Sequence, residues 1–106
     1  MAKKAYRLIY RPRARKDMGE IIFYISRELH DPAAAIRLTN NIVEAADRLI
    51  DYPYAHPRYV PPVPLRHEYR KLIVRNYIVF YWIDDQEKRI LIERVLYMRR
   101  DCGTLL

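Results

Sequence analysis

The chain opens on a short alternating run, Tyr6-Arg7-Leu8-Ile9-Tyr10, built from strand-forming types, which predicts a first strand. Arg11-Pro12 ends it, because proline cannot donate to a ladder but suits a first helical turn. From about residue 12 to 29 the period changes. Ala14, Met18, Ile21, Ile22, Ile25 and Leu29 recur at three- and four-residue steps, the stripe of an amphipathic helix. Gly19 inside this stripe weakens it slightly and suggests the close approach of another backbone. Asp31-Pro32 then starts a second helix, with Asp31 as cap and Pro32 at the first helical position. Ala33, Ile36, Val43, Ala46 and Ile50 mark its expected buried side, widened by Ile42 and Leu49, to about Asp51. The short link predicts an antiparallel helical hairpin.

Residues 52–64 carry five of the seven prolines and read as an extended crossing segment. The last third is strand-like. Residues 69–75 alternate imperfectly. Tyr77-Ile78-Val79-Phe80-Tyr81-Trp82-Ile83 is nearly continuous and apolar, as in a central strand covered on both faces. Asp84 to Lys88 is a polar turn, and Arg89 to Tyr97 a final strand with Ile90, Ile92 and Leu96 on one face. Strict alternation puts Arg94 on that apolar face too, which calls for a bulge or a paired arginine. The expected fold is α+β in the order β-α-α-β-β-β. An N-terminal strand and an antiparallel helical hairpin precede a three-stranded antiparallel meander, with the helices packed on one face of the sheet and the other face left wet or free to bind. The whole of 1–106 is expected to be one domain.

Composition narrows the chemistry. One cysteine, Cys102, allows no internal disulfide and no paired-cysteine zinc site, and fits a reducing compartment. No stretch approaches the ~18 apolar residues of a membrane span, so a cytoplasmic protein without a membrane role is expected. The formal net charge of +7 favours RNA, DNA or an acidic protein as partner. The cations fall in three clusters: residues 1–16, then Arg66, Arg70, Lys71 and Arg75, then Arg94, Arg99 and Arg100. Their meeting on one face would make an anion-binding surface. His67 beside Glu68 has the makings of an acid–base pair, although such neighbours are more commonly a surface hydrogen bond. His30 and His56 stand alone, and three unclustered histidines make no metal site. No cofactor is called for.

Four fragments, in order, carry a resemblance. Ala14-Arg15-Lys16-Asp17-Met18-x-x-Ile21-x-x-Tyr24-Ile25 is similar to the pattern A-x-x-D-L-x-x-I-x-x-Y-I, and Asp31-Pro32-Ala33-Ala34-Ala35 to D-P-x-A-A. Tyr77-Ile78-Val79-Phe80-Tyr81 resembles Y-x-[IV]-x-Y, and Arg94-Val95-Leu96-Tyr97-Met98-Arg99-Arg100-Asp101 resembles R-V-L-[HY]-x-x-R-D. These are patterns of the RelE/ParE superfamily of toxins from toxin–antitoxin systems. The resemblance implies an acidic antitoxin as partner and one of two targets. RelE-like members cut mRNA on the ribosome; ParE-like members inhibit DNA gyrase without cleaving nucleic acid.

Cleavage needs a base for the 2′-hydroxyl, an acid for the leaving oxygen and cations for the phosphate. On a RelE-like reading, Arg70, Lys71, Tyr97 and Arg99 would be the catalytic group. The central-strand arginine of that pattern falls at about Ile78, and its C-terminal tyrosine near Thr104 or Leu105, so both are missing. With the ParE-like helix openings, these departures favour the gyrase inhibitor over the metal-independent nuclease. His67, Arg75 and Arg100 are the expected contacts to target or phosphate. Met18, Ile21, Ile22 and Ile25 are expected to receive an amphipathic antitoxin segment. A plain nucleic-acid-binding module is the third reading of the basic clusters.

Overall fold

The computed structural model describes residues 6–61, 64–98, 105 and 106. Strand β1 (Arg7–Tyr10) leads into helix α1 (Pro12–Phe23), with Pro12 in its first turn. At Tyr24–Glu28 the helix widens into one π turn, closed by the Leu29 N–H donating to the Tyr24 carbonyl. The extra residue advances the chain by about 100° relative to a continuous α-helix. Leu29, which a constant period would bury, is therefore exposed. His30 turns the chain with a left-handed φ of 52°. Asp31 caps helix α2 (Pro32–Asp47), its carboxylate accepting from the Ala34 N–H at 3.0 Å.

Helix α2 buries Ile42, Ala46 and, just past its end, Leu49 as expected, but the buried stripe is rotated away from Ala33, Ile36 and Val43 toward Ala35 and Ala45. Ala35, Ile42, Ala45, Ala46 and Leu49 are buried, whereas Ala33, Ile36 and Val43 are exposed, Ile36 by 62%. The alanines decide the rotation. Two apolar stripes of equal period coexist on α2, and the one with small side chains lets the helix come closest to its neighbours. In α1, Ala14 and Asp17 are buried, Met18, Ile21 and Ile25 half-buried, and Ile22 exposed. Gly19 needs no small side chain, since nothing lies within 4 Å of where a β-carbon would stand.

Strands β2 (Arg70–Val74), β3 (Tyr77–Asp84) and β4 (Arg89–Tyr97) form the expected antiparallel meander. β1 adds to it parallel to β4, so the sheet is mixed, in the order β1-β4-β3-β2. The main core lies between helices and sheet, around Ala14, Ile42, Leu49, Leu72, Val79, Tyr81, Ile90, Ile92 and Val95. The far face is not bare. Tyr69, Phe80 and Leu96 form a second cluster there, with Tyr59 and Leu65 of the crossing segment and Leu105 and Leu106 packed against it.

Arg94 gains both a bulge and a partner. The β3–β4 register slips between Phe80 and Tyr81: Tyr81 opposes Ile92, Phe80 opposes Arg94, and Glu93 is the extra residue. Arg94 thereby leaves the face of Ile92. β1 stops pairing at Ile92, and α1 borders β4 beyond that point. There the Asp17 carboxylate accepts the Val95 N–H at 2.9 Å, where a further strand would otherwise have accepted it. The same carboxylate accepts from Arg94 Nε at 2.7 Å and Nη2 at 2.8 Å. Asp17 and Arg94, each a charged position of one of the quoted sequence fragments, are thus one largely buried bidentate pair.

Candidate functional site: a helix–sheet cavity

Between the tip of the helical hairpin and the turn end of β2–β3 lies a cavity of about 760 Å³. Its walls are Ile21, Tyr24, Ile25 and Leu29 from the first helical arm, Leu38 from α2, and Val95 and Tyr97 from β4. Arg75, Asn76 and Tyr77 form the rim at the β2–β3 turn. The hairpin faces converge here because the π turn keeps Ile25 inward while releasing Leu29 to the rim. Tyr97 meets Tyr77 edge-on at 5.5 Å between centroids, and burial pushes the Tyr77 phenol above its ordinary pKa. Arg75 has φ 56°, a left-handed backbone unusual for a long side chain, and has no ion pair among the described residues. The cavity is thus mostly apolar and aromatic in its walls, with the Arg75 cation at one rim and the acids Asp17 and Glu20 also in its lining.

The structure brings Ile21, Ile25, Arg75 and Tyr97 together in this cavity. Met18 packs on the main core, and Ile22 lines a separate shallow groove with Ile36 on the outer side of the hairpin. Arg99 and Arg100 lie outside the described residues. Among the described residues, Arg11 and Arg13 of the first basic stretch and Arg66 of the second all lie near Tyr69, and Arg13 and Arg94 both donate to the Leu105 carbonyl, but the expected catalytic pair does not meet. The pleat sends Arg70 to the face of Tyr81 and Lys71 to the face of Phe80, on opposite sides of the sheet. Arg70 is also committed elsewhere: it donates to the His56 carbonyl at 2.7 Å, lies 3.7 Å from Glu68 and caps the Tyr54 ring. Ile78, in the position of the missing arginine, sits against the far-face cluster.

His67 has no acidic partner in Glu68, whose carboxylate goes to Arg58 and Arg70. Its ring stacks flat on Trp82, 3.7 Å apart and 3° from parallel. Burial, helped by Arg66, lowers its pKa, so the ring is neutral at pH 7. The stack stands over a smaller cavity of about 400 Å³ beside Asp84 and Asp85. Asp85 ties this corner: it accepts from the Tyr6 and Tyr54 hydroxyls and from Lys88. Those bonds, that of Tyr6 first, hold its carboxyl down to about 2, and the bond to Asp85 lifts Tyr54 to about 12. Among the described residues, no three His, Cys, Asp or Glu side chains gather as a metal site, and no helix is long and apolar enough to cross a membrane.

The residue that sequence reasoning missed is Asp17, which lines the cavity and ties α1 to β4. A signal existed: an acid within the apolar stripe of α1 and a base on the apolar face of β4 are complementary anomalies.

This frame is that of a known toxin family. Residues 8–102 match the model for the ParE toxin of type II toxin–antitoxin systems. The chain belongs to the ParE toxin family. No curated protein is significantly similar to the toxin in sequence. Among solved structures it is similar to a chain of the chromosomal ParDE system from P. aeruginosa, with TM-score 0.72 and 20% identity, over 89% of this chain and 97% of that one. It is also similar to a chain of the RelBE2 toxin–antitoxin complex from Mycobacterium tuberculosis, with TM-score 0.58 and 22% identity, over 89% and 99% respectively. At these identities the likeness establishes the toxin's fold.

Proposed function

We propose that this ParE-family toxin arrests growth by binding DNA gyrase and is neutralised by an acidic antitoxin that fills the helix–sheet cavity. The observation that carries the non-catalytic reading is the separation of Arg70 and Lys71 by the pleat. Phosphate-cleaving chemistry needs its cations converging on one reacting atom, and here one of the pair is absorbed by His56, Glu68 and Tyr54. Membership of the ParE family supports the same target.

The antitoxin reading rests on the cavity. An amphipathic segment would lay apolar side chains against Ile21, Ile25 and Tyr97 and place a carboxylate at Arg75. The toxin's net charge of +7 would steer an acidic partner in and speed encounter. The ParDE system and the RelBE2 toxin–antitoxin complex among its structural relatives support a protein partner of this kind. The toxin needs no cofactor for this activity. Arg75 serves the target or the antitoxin, so occupation by one excludes the other.

The test is gyrase supercoiling with purified toxin. Loss of supercoiling at excess toxin is expected, with relief by Arg75→Glu, which reverses the charge at the shared target contact. Normal supercoiling, with new mRNA ends appearing on translated message instead, would refute the gyrase target.

A further inference from the structure

The outer edge of the sheet is half closed. The two-residue turn Arg75-Asn76 makes Val74 and Tyr77 a bonded pair, so Leu72 and Arg70 also bond β3. The alternate residues, Lys71 and Ile73, turn their peptide groups outward. The crossing segment covers the first of these: Tyr59 N–H donates to the Tyr69 carbonyl at 2.8 Å, and Lys71 N–H to the Pro57 carbonyl at 3.0 Å. Pro57 then ends the ladder, since it has no N–H to return to Lys71. Beyond it, the Ile73 N–H and C=O have no backbone partner among the described residues. The Ile73 side chain is 56% exposed, on the same face as Lys71, with Arg75 at the following corner.

We propose that this open edge, centred on Ile73 and flanked by Lys71 and Arg75, pairs with an extended acidic segment of the partner protein. The inference rests on the antitoxin reading above and adds a second contact to it. Edges of this kind are commonly blunted by charge, bulge or proline. Here proline stops short, and a large apolar side chain stands at the gap between two cations. Neither cation has an ion pair among the described residues. A second copy of this chain is a poor occupant, because antiparallel pairing about Ile73 would set Lys71 and Arg75 against their own kind. An acidic strand satisfies both: its backbone bonds Ile73, its apolar side chain covers that of Ile73, and its carboxylates flank it. Arg75 also stands on the cavity rim, so one continuous segment reaches both places.

The probe is the hexapeptide Glu-Val-Glu-Val-Glu-Val, titrated to millimolar concentration into labelled full-length toxin, with Lys-Val-Lys-Val-Lys-Val as control. The Ile73 amide is expected to exchange freely in the toxin alone. The acidic peptide alone should shift and protect it. Ile73→Pro should abolish the peptide-induced shifts at the neighbouring Leu72 and Val74 amides without disturbing the fold, since the lost N–H points outward. Lys71→Glu with Arg75→Glu, which leaves the backbone intact, should weaken the acidic peptide roughly tenfold and turn the preference toward the basic one. Equal binding of both peptides, protection of Ile73 before any peptide is added, or self-association through this edge would each overturn the proposal. Shifts confined to Ile21, Ile25 and Tyr97 would also overturn it while leaving the cavity reading in place. Failure of the toxin to arrest growth would remove the antitoxin reading, but not the exchange result at Ile73.

Discussion

Removing the Asp17 carboxylate should be among the most damaging single changes in this molecule. Asp17 is 6% exposed and the Arg94 side chain 15%. In Asp17→Ala, a guanidinium out of water loses two charge-assisted bonds and the Val95 N–H loses its acceptor. Breaking one side of a buried pair costs about 3–5 kcal/mol, and the orphaned N–H is part of that figure. At ~4 °C per kcal/mol for a domain of this size, the melting temperature falls by roughly 12–20 °C. Arg94→Met alone also destabilises, because Arg94 further donates to the Leu105 carbonyl at 2.6 Å. The informative variant carries Asp17→Ala and Arg94→Met together. No charge is then stranded, and only the Val95 N–H stays unpaired, at about 1–3 kcal/mol. The double variant should be more stable than the sum of its parts by at least ~2 kcal/mol. Urea unfolding of the four proteins of the cycle measures this directly. Additive losses, or an Asp17→Ala cost below ~1 kcal/mol, would refute the view that the pair joins α1 to β4.

Ile42→Ala should cost about 2–5 kcal/mol in thermal unfolding, and Ile36→Ala within about 0.5 kcal/mol, because the first is fully buried and the second 62% exposed; equal losses would contradict the rotation of α2. Arg75→Gly should raise stability by about 1 kcal/mol by removing a left-handed β-carbon, while weakening binding at the cavity rim; calorimetry and a partner titration separate the two effects. Asp85 titrates at about 2 when folded against an ordinary 3.8, so its tie is complete above about pH 4 and fades as pH falls toward 2. Tyr6→Phe should move the Asp85 carboxyl midpoint upward in an NMR titration and narrow that window; an unmoved midpoint would mean that Tyr6 does not hold it.

The order of elements was legible because each carries a clear period or a clear stop: Pro12 and Asp31-Pro32 for the helices, the aromatic run for β3. Arg94 was legible as an anomaly, and the bulge and the pair both proved to be its explanation. The rotation of α2 was not, because Ile36 and Val43 look as apolar as Ile42 and Leu49, and only neighbouring alanines distinguish close approach from solvent. The site was less legible still. Arg70 and Lys71 read as a basic pair along the chain, yet adjacent residues of a strand face opposite ways. The commitments of Arg70 to His56 and Tyr54, and of His67 to Trp82, come from where the crossing segment lies, which no local pattern encodes.

The parallel pairing of β1 with β4 sets a timetable. Arg7 lies beside Arg89, so the first strand made has no seat until the last is synthesised. Contacts this distant in sequence close late and slowly. A growing chain on the ribosome therefore carries a helical hairpin and then a meander with one flank unfinished. Competence to bind a target waits until β4 has been made, and a chain interrupted before residue 89 is a ready substrate for proteases rather than a weakened toxin.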